Sequence, residues 1–316
     1  MNPLSATFGS VVALRNRFYD QGLFKVNKLA RPVVSVGNIS VGGSGKTPFV
    51  IALGELLKQR GIAFDVLSRG YRRQSAELAV VDPLGSPRQF GDEPLLIART
   101  LGIPVIVGRD RYQAGLLAEE ALSAKLHILD DGFQHRRLHR DFDIVMLPAA
   151  DLKDALLPVG RLREPFSALR RADAVVTSSS ATIPASVGVV WRVGRDLLLD
   201  PPRNLSALVF CGVARPQTFF EELKMLHAYG SRISQTMTFP DHHRYTPADI
   251  QRLLRAKAEK NADCFITTEK DEINLGALAS QLQPLRVARL RLVLENPEIA
   301  LKMLLEALEK RNGCTF

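Results

Sequence analysis

A short apolar run, Val33–Val36, feeds directly into Ser40-Val41-Gly42-Gly43-Ser44-Gly45-Lys46-Thr47, and a helical pattern follows over Thr47–Arg60. Strand, glycine-rich loop and helix in that order leave few folds open. They gather backbone N–H groups and a helix dipole at one point, and such a point holds phosphate oxygens. A phosphate loop on a parallel sheet is therefore the first expectation. The spelling departs from the usual G-x-x-x-x-G-K-[ST], because Ser40 stands where the first glycine belongs. Gly42, Gly43 and Gly45 still keep the backbone clear of Cβ atoms, so the cradle stays permissive. Residues 40–47 then bind the nucleotide, with Lys46 on the β/γ-phosphates and the Thr47 hydroxyl on Mg²⁺. The plainer alternative is a glycine-rich turn before an ordinary helix, and Gly-Lys-Thr directly after a strand weighs against it.

A bound triphosphate also needs a carboxylate for its metal. The apolar run Leu126–Leu129 ends in Asp130-Asp131-Gly132, and the carboxyl end of a neighbouring strand is where such an aspartate belongs. Adjacent residues point in different directions, so one of Asp130 and Asp131 can meet Mg²⁺ while the other orients water or Thr47. Read alone, Asp131-Gly132 is a plain turn; downstream of the loop it becomes a metal site. In the basic run that follows, His135 stands nearest the carboxylates and is the candidate for a site role. His139 and Arg140 read as surface.

Strand-like runs at Val33–Gly37, Ile62–Leu67, Ile103–Val107, Leu126–Leu129, Asp143–Leu147 and Asp173–Thr177 alternate with helical patterns at Thr47–Arg60, Glu93–Leu101 and Arg111–Ser123. That rhythm implies an α/β fold with a P-loop NTPase-type parallel sheet core. A hairpin is expected at Ala79–Phe90, where Asp82, Pro83, Gly85 and Ser86 separate two extended stretches. Residues 178–204 are rich in Ser, Pro and Asp and hold one connecting strand, Val189–Val193. The rhythm restarts with a strand at Ala207–Cys211, helices at Thr218–Tyr229 and Pro247–Ala262, and a strand at Cys264–Thr267. A boundary near residue 200 follows. It divides a nucleotide-binding core, 1–200, from a second, smaller α/β domain, 201–316, with the Pro297–Arg311 helix able to pack on either.

A chain of 316 residues can bury one large core or two ordinary ones. With 46% hydrophobic and 24% charged residues it is neither disordered nor fibrous. A net charge of +9 favours anionic partners: nucleic acid, acidic lipid or phosphorylated substrate. Cys211, Cys264 and Cys314 lie far apart without a C-x-x-C, which predicts no disulfide framework or zinc site and fits a reducing compartment. No apolar run approaches the ~20 residues of a spanning helix, and no basic start marks a signal peptide. Residues 2–24 nevertheless read as a helix. Leu4, Phe8, Val11, Val12, Leu14 and Phe18 share one arc, with Arg15 inside it and Arg17, Lys25, Lys28 and Arg31 as basic flanks. Such a helix either packs on the protein's own core or lies in an anionic membrane face.

The stretches SVGNISVGGSGKTPF, LSRGYRR, GDEP, GRDRYQAG, LDDGFQHRRLHRD, LPVGRLREP and FPDHHRY occur in that order. Together they resemble the tetraacyldisaccharide 4′-kinase family of lipid A synthesis, from about residue 15 to the TTEKD stretch at 267–271. Ser40 is part of that family's own version of the loop. The resemblance implies ATP and Mg²⁺ as cofactors and phosphorylation of the 4′-hydroxyl of a tetraacyl glucosamine disaccharide 1-phosphate. It implies a peripheral, monotopic position at the cytoplasmic face of the bacterial inner membrane, an anionic surface for residues 2–24 and no nucleic-acid partner. It also implies that Asp92, in Gly91-Asp92-Glu93-Pro94, lies near the acceptor hydroxyl and pairs with His242 of the second domain. Read without the family, Asp92 is a helix N-cap. Tyr71, Glu93, Arg111, His135, Arg163 and Glu164 are the further candidates for contact with substrate or phosphate. Asn274 stands where relatives often carry Lys, and the turn Cys211–Pro216 matches only approximately, so neither receives a role.

Two rivals come from other classes. A P-loop GTPase or ATPase switch would show N-K-x-D after a strand, and Thr268-Glu269-Lys270-Asp271 fails that spacing. A basic nucleic-acid binder would show a recognition helix or an aromatic-lined basic sheet, and only 7% of residues are aromatic.

Overall fold

The apolar runs of the first half become strands buried on both faces, as runs without polar alternation must be. The computed structural model describes residues 2–184, 187–199, 205–226, 232–313 and 315–316. The first half runs α1 (Pro3–Asp20), β1 (Val33–Asn38), α2 (Lys46–Gln59), β2 (Phe64–Ser68), β3 (Ala79–Val80), α3 (Pro87–Phe90), α4 (Asp92–Leu101), β4 (Val105–Val107), α5 (Arg111–Ala121), β5 (Leu126–Asp130), β6 (Phe142–Met146) and β7 (Ala174–Ser178). The remainder is β8 (Val190–Leu198), β9 (Ser206–Cys211), α6 (Pro216–Leu226), β10 (Arg232–Thr238), α7 (Pro247–Glu259), β11 (Cys264–Thr268), α8 (Glu269–Leu275), β12 (Leu285–Leu294) and α9 (Pro297–Asn312). The end of the expected 218–229 helix, the boundary residues 200–204 and Cys314 lie outside the described residues.

The strands form one twelve-stranded sheet in the order β10-β9-β11-β12-β8-β7-β6-β1-β5-β2-β4-β3. Two parallel blocks meet at the antiparallel pair β8–β12. The connecting strand thus does connect, since β8 also pairs parallel with β7. The expected hairpin at 79–90 does not form. β3 pairs antiparallel with β4 instead, and Ser86-Pro87-Arg88-Gln89 starts a helical turn. Pro87 suits the first helical position, and the Gln89 side chain accepts the Ser86 N–H at 3.3 Å. Sequence reading also missed β10 and β12, although the Leu/Arg alternation of β12 carries the period of a strand.

Phe49, Leu53 and Leu57 of α2 and Leu95 of α4 share one core with Leu301, Leu304 and Leu308 of α9. The last helix therefore belongs to the first half's core. Leucines this deeply buried cost about 2–5 kcal/mol each on truncation to Ala. Behind the sheet, Leu29, Ile106, Ala114 and Leu129 close the α5 side. The second half has its own layers, Ile250 and Leu253 against Phe210 on one face and Phe219 and Leu223 against Val209 on the other. Cys211 and Cys264 are buried free thiols. Burial, with Asp271 nearby, pushes Cys211 up to about 12.

Helix α1 is turned the opposite way from a core helix. Its inner side is polar: Ser5 Oγ donates to Leu156 O at 2.9 Å, Arg15 Nη2 to Gln134 O at 2.8 Å, and Asn16 Nδ2 to Glu164 Oε2 at 2.8 Å. Leu4, Val11 and Leu14 face outward at 66%, 62% and 53% exposure, joined by exposed Leu23, Phe24 and Val26 just beyond the helix. Phe8, Val12 and Phe18 are partly buried, so the apolar arc is divided between the protein and its outer surface.

Candidate active site

β1 ends at Asn38 between β5 and β6, at the carboxyl edge where ligands collect in open α/β sheets. The loop beyond it takes left-handed backbone at Gly42, Gly43 and Gly45, with φ of 65°, 55° and 83°. A Cβ on Gly43 would also meet Arg215 Cγ at 3.1 Å and Ala214 Cβ at 3.2 Å, so glycine is needed there for space too. Gly45 caps α2 without a side-chain hydrogen bond, which leaves first-turn N–H groups for an anion. Asn38 Nδ2 donates to Ser44 Oγ at 2.8 Å, and Arg161 Nη2 donates to Val41 O at 2.7 Å and Gly42 O at 3.1 Å. Ser40 is fully buried, and its hydroxyl donates to Asp151 Oδ2 at 2.5 Å. The residue that breaks the usual loop spelling is a tether.

Asp130 pairs with Val36 across the β1–β5 ladder, and Ser68 Oγ at the end of β2 donates to its Oδ2 at 3.0 Å. Asp130 is 3% exposed, and its Oδ1 has no hydrogen-bond partner. Burial, then the Glu93 and Asp131 carboxylates, push it up to about 7. Asp131 takes a left-handed φ of 52°, which sets its Oδ1 3.4 Å from Lys46 Nζ and 3.0 Å from Arg163 Nη2. Burial alone would raise Asp131, but those two cations hold it well below the usual carboxylate range. A buried carboxylate oxygen with no donor, together with the buried Thr47 at the head of α2, fits Mg²⁺. Among the described residues no group of three or more His, Cys, Asp or Glu could hold a metal. Mg²⁺ is usually held by one or two carboxylates together with substrate phosphates and water.

The second constellation spans both halves. Gly91, at φ 91°, lies against Tyr71 O and Gly70, where a Cβ would come within 3.2 Å. Gly91 caps α4, and Asp92 is its first helical residue, one place further in than an N-cap reading puts it. Asp92 Oδ1 accepts the Glu93 N–H at 2.9 Å. His242 Nδ1 lies 2.7 Å from Asp92 Oδ2, which also accepts from Asn274 Nδ2 at 3.0 Å. Burial opposes ionisation of Asp92, but His242, Lys270 and Asn274 outweigh it and lower its pKa to about 2. Burial likewise favours neutral His242, and the Asp92 carboxylate overrides it and raises the imidazole above its ordinary value. Replacing Asp92 with Asn removes that carboxylate while burial and Lys270 remain. In Asp92→Asn, His242 should titrate at lower pH than in the parent protein, as read from its imidazole NMR signals. An unshifted titration would show the two groups apart in solution.

A family model described as tetraacyldisaccharide-1-P 4′-kinase matches residues 1–309. The chain belongs to that family. A tetraacyldisaccharide 4′-kinase of Koribacter versatilis is 50% identical to it, with 99% of this chain and 100% of the relative covered. One from Aquifex aeolicus is 38% identical over 86% of this chain and 88% of the relative. The crystal structure of LpxK from Aquifex aeolicus in complex with ATP superposes with a TM-score of 0.79 at 36% identity, covering 97% of this chain and 98% of that one.

Within this tetraacyldisaccharide 4′-kinase fold, the remaining candidates take unequal places. Tyr71 is half exposed and meets the His242 ring edge-on at 5.4 Å between centroids. Glu93 pairs with Lys270. Burial would raise its pKa, but Lys270, and more weakly Lys46, pull it down. Arg111 is buried with its Nε unpartnered, close enough to Asp130 and Asp131 to feel both charges. His135, pushed down to about 4 by burial and then by Arg111, stays neutral. It lines a cavity of about 220 Å³ with Arg109, Arg137, Tyr112 and Asn27. Glu164 is 1% exposed and accepts from Asn16, Gln134 and Arg171; it ties α1 to the Arg163 strand of loop and faces no open space. Lys270 and Asn274 were not expected here. Both lie on α8, Lys270 within the Thr268–Asp271 stretch and Asn274 one turn further on, and Asp271 between them is buried under Tyr245, Thr268 and the Gly212 N–H.

Proposed function

We propose that this chain phosphorylates the 4′-hydroxyl of tetraacyldisaccharide 1-phosphate with ATP, in lipid A assembly. The observation that carries the reading is the Asp92–His242 pair at 2.7 Å, built from both halves of the chain beside a phosphate loop. Lys46, the loop N–H groups and the head of α2 would hold the phosphates. Thr47 and one of Asp130 and Asp131 would hold Mg²⁺, which would offset the charge of the phosphates. Phosphoryl transfer asks chiefly for alignment and charge neutralisation. A sugar hydroxyl is a weak acid, so the Asp92–His242 pair is well placed to orient it and to take its proton late, as a unit. Incubation with labelled ATP, Mg²⁺ and tetraacyl disaccharide 1-phosphate should put label into the lipid. Label confined to ATP and released phosphate would sink the assignment.

The division near residue 200 assigns the phosphate loop and the Asp pair to 1–200 and His242 to 201–316. The second half's own two core layers support it, with Ile273 of α8, Leu292 and Leu294 of β12 and the leucines of α9 reaching back to the first.

An acylated substrate lies in a membrane, and among the described residues no helix is long and apolar enough to cross one. We assign α1 to the surface of an anionic cytoplasmic leaflet, apolar face down, with Arg17, Lys25 and Lys28 at the headgroups. Removing α1 would strip the Asn16 donor from buried Glu164, so point changes test this more cleanly. Leu4→Glu, Val11→Glu and Leu14→Glu together should weaken binding to anionic vesicles at least tenfold, about 1.4 kcal/mol, without lowering the melting temperature. Unchanged sedimentation with vesicles would remove α1 from the membrane.

A further inference from the structure

The turn between β9 and α6 touches both constellations. On one side the Gly212 carbonyl accepts the His242 N–H at 3.0 Å, and a Cβ at Gly212 would meet Pro240 O at 2.9 Å and His243 Cβ at 3.1 Å. The backbone that carries His242 is therefore seated directly on this turn. On the other side Ala214 and Arg215 press on Gly42 and Gly43. Arg215 Nη2 donates to Asp151 Oδ1 at 2.6 Å, while Ser40 Oγ donates to Asp151 Oδ2 at 2.5 Å. Asp151 is 1% exposed. A carboxylate that deep is retained only with its partners in place, and losing one leaves charge or a lone pair uncompensated.

We infer that Arg215 is a positioning residue, which through buried Asp151 and Ser40 fixes the 212–215 turn against the phosphate loop and so sets where His242 stands relative to the nucleotide cradle. Only Val213 and Ala214 lie between Gly212 and Arg215, too short a span to absorb a shift on one side without passing it to the other. Ser40 then has a reason to replace glycine, since glycine would leave Asp151 Oδ2 without its donor.

The consequence for turnover rests on the kinase reading, so the test has one arm that does not. In Arg215→Ala, His242 should lose part of its upward pKa shift in imidazole NMR, because its distance from Asp92 is no longer fixed. Arg215→Lys, which keeps the cation, should retain more of the shift. The second arm is turnover. Arg215→Ala should lower kcat about 10- to 100-fold in the parent chain and much less in a His242→Ala background. The idea is overturned if His242 titrates in Arg215→Ala as in the parent. It is equally overturned if both Arg215 variants lose the shift together with melting temperature, or if the kcat loss is the same in both backgrounds. A parent protein that transfers no phosphate to lipid but shows the titration change would sink the kinase reading alone.

Discussion

Lys46→Ala should abolish transfer from ATP to the lipid disaccharide, lowering kcat by about 10³-fold or more. In the proposed reaction Lys46 would meet the transferred phosphate; its ammonium lies 3.4 Å from Asp131 Oδ1. Removing it withdraws positive charge where negative charge gathers in the transition state. It also strips Asp130 of its main opposing cation, so that carboxylate becomes harder to ionise. The fold has little stake in the side chain. Lys46 is the first residue of α2, outside the apolar core made by Phe49 and Leu53, so the cost to the fold should be confined to the lost ion pair with Asp131 and leave the cooperative melt intact. Labelled-lipid assays beside a thermal melt check both halves of the claim. Full turnover in the variant would take the phosphate loop out of the reaction.

Asp92→Ala and His242→Ala should each cost about 10²–10⁴ in kcat, and the double change little more than the worse single one. Asp92 Oδ2 accepts from both His242 and Asn274. Without Asp92, His242 loses the group that orients its ring and raises its pKa; without His242, Asp92 keeps the Asn274 amide and the Glu93 N–H but loses its imidazole. Groups that act as one unit fail to add. Losses that multiply would mean that the two residues act separately, for example one on the acceptor and the other on the loop that holds it.

The phosphate loop and the Asp pair were legible because each is written in consecutive residues whose structural setting is local: strand, turn, helix. The strands of the first half were legible for the same reason, being short apolar runs. What escaped depends on distance along the chain. Asn274 meets Asp92 across 182 residues, Lys270 meets Glu93 across 177 and Ser40 meets Asp151 across 111. No spacing rule links such pairs, and Asp92–His242 was reachable only through the family resemblance. The hairpin expected at 79–90 failed differently. Asp82, Pro83 and Gly85 do signal a turn, but Ser86-Pro87-Arg88-Gln89 signals a helix start just as clearly, and the sheet had a better partner for β3 in β4. Helix α1 was found by its period, yet which face it would bury could not be read from period alone. The polar side holds partners fixed by Glu164 and Gln134, and these lie far off in sequence.

Arg72, Asp131 and His242 all hold left-handed backbone, with φ of 59°, 52° and 56°, at about 1–2 kcal/mol each relative to ordinary regions. Against a typical net stability of about 5–15 kcal/mol, that is a sizeable concession made in one place. It bears on how this chain can adapt to heat. Glycine at 72 would relieve strain and keep the carbonyl that Arg244 contacts, at the loss of the guanidinium contact to Asp241 O. The same relief at 131 or 242 would remove the carboxylate or the imidazole. Thermal adaptation in this chain therefore has one negotiable position beside its site and two that are closed to it.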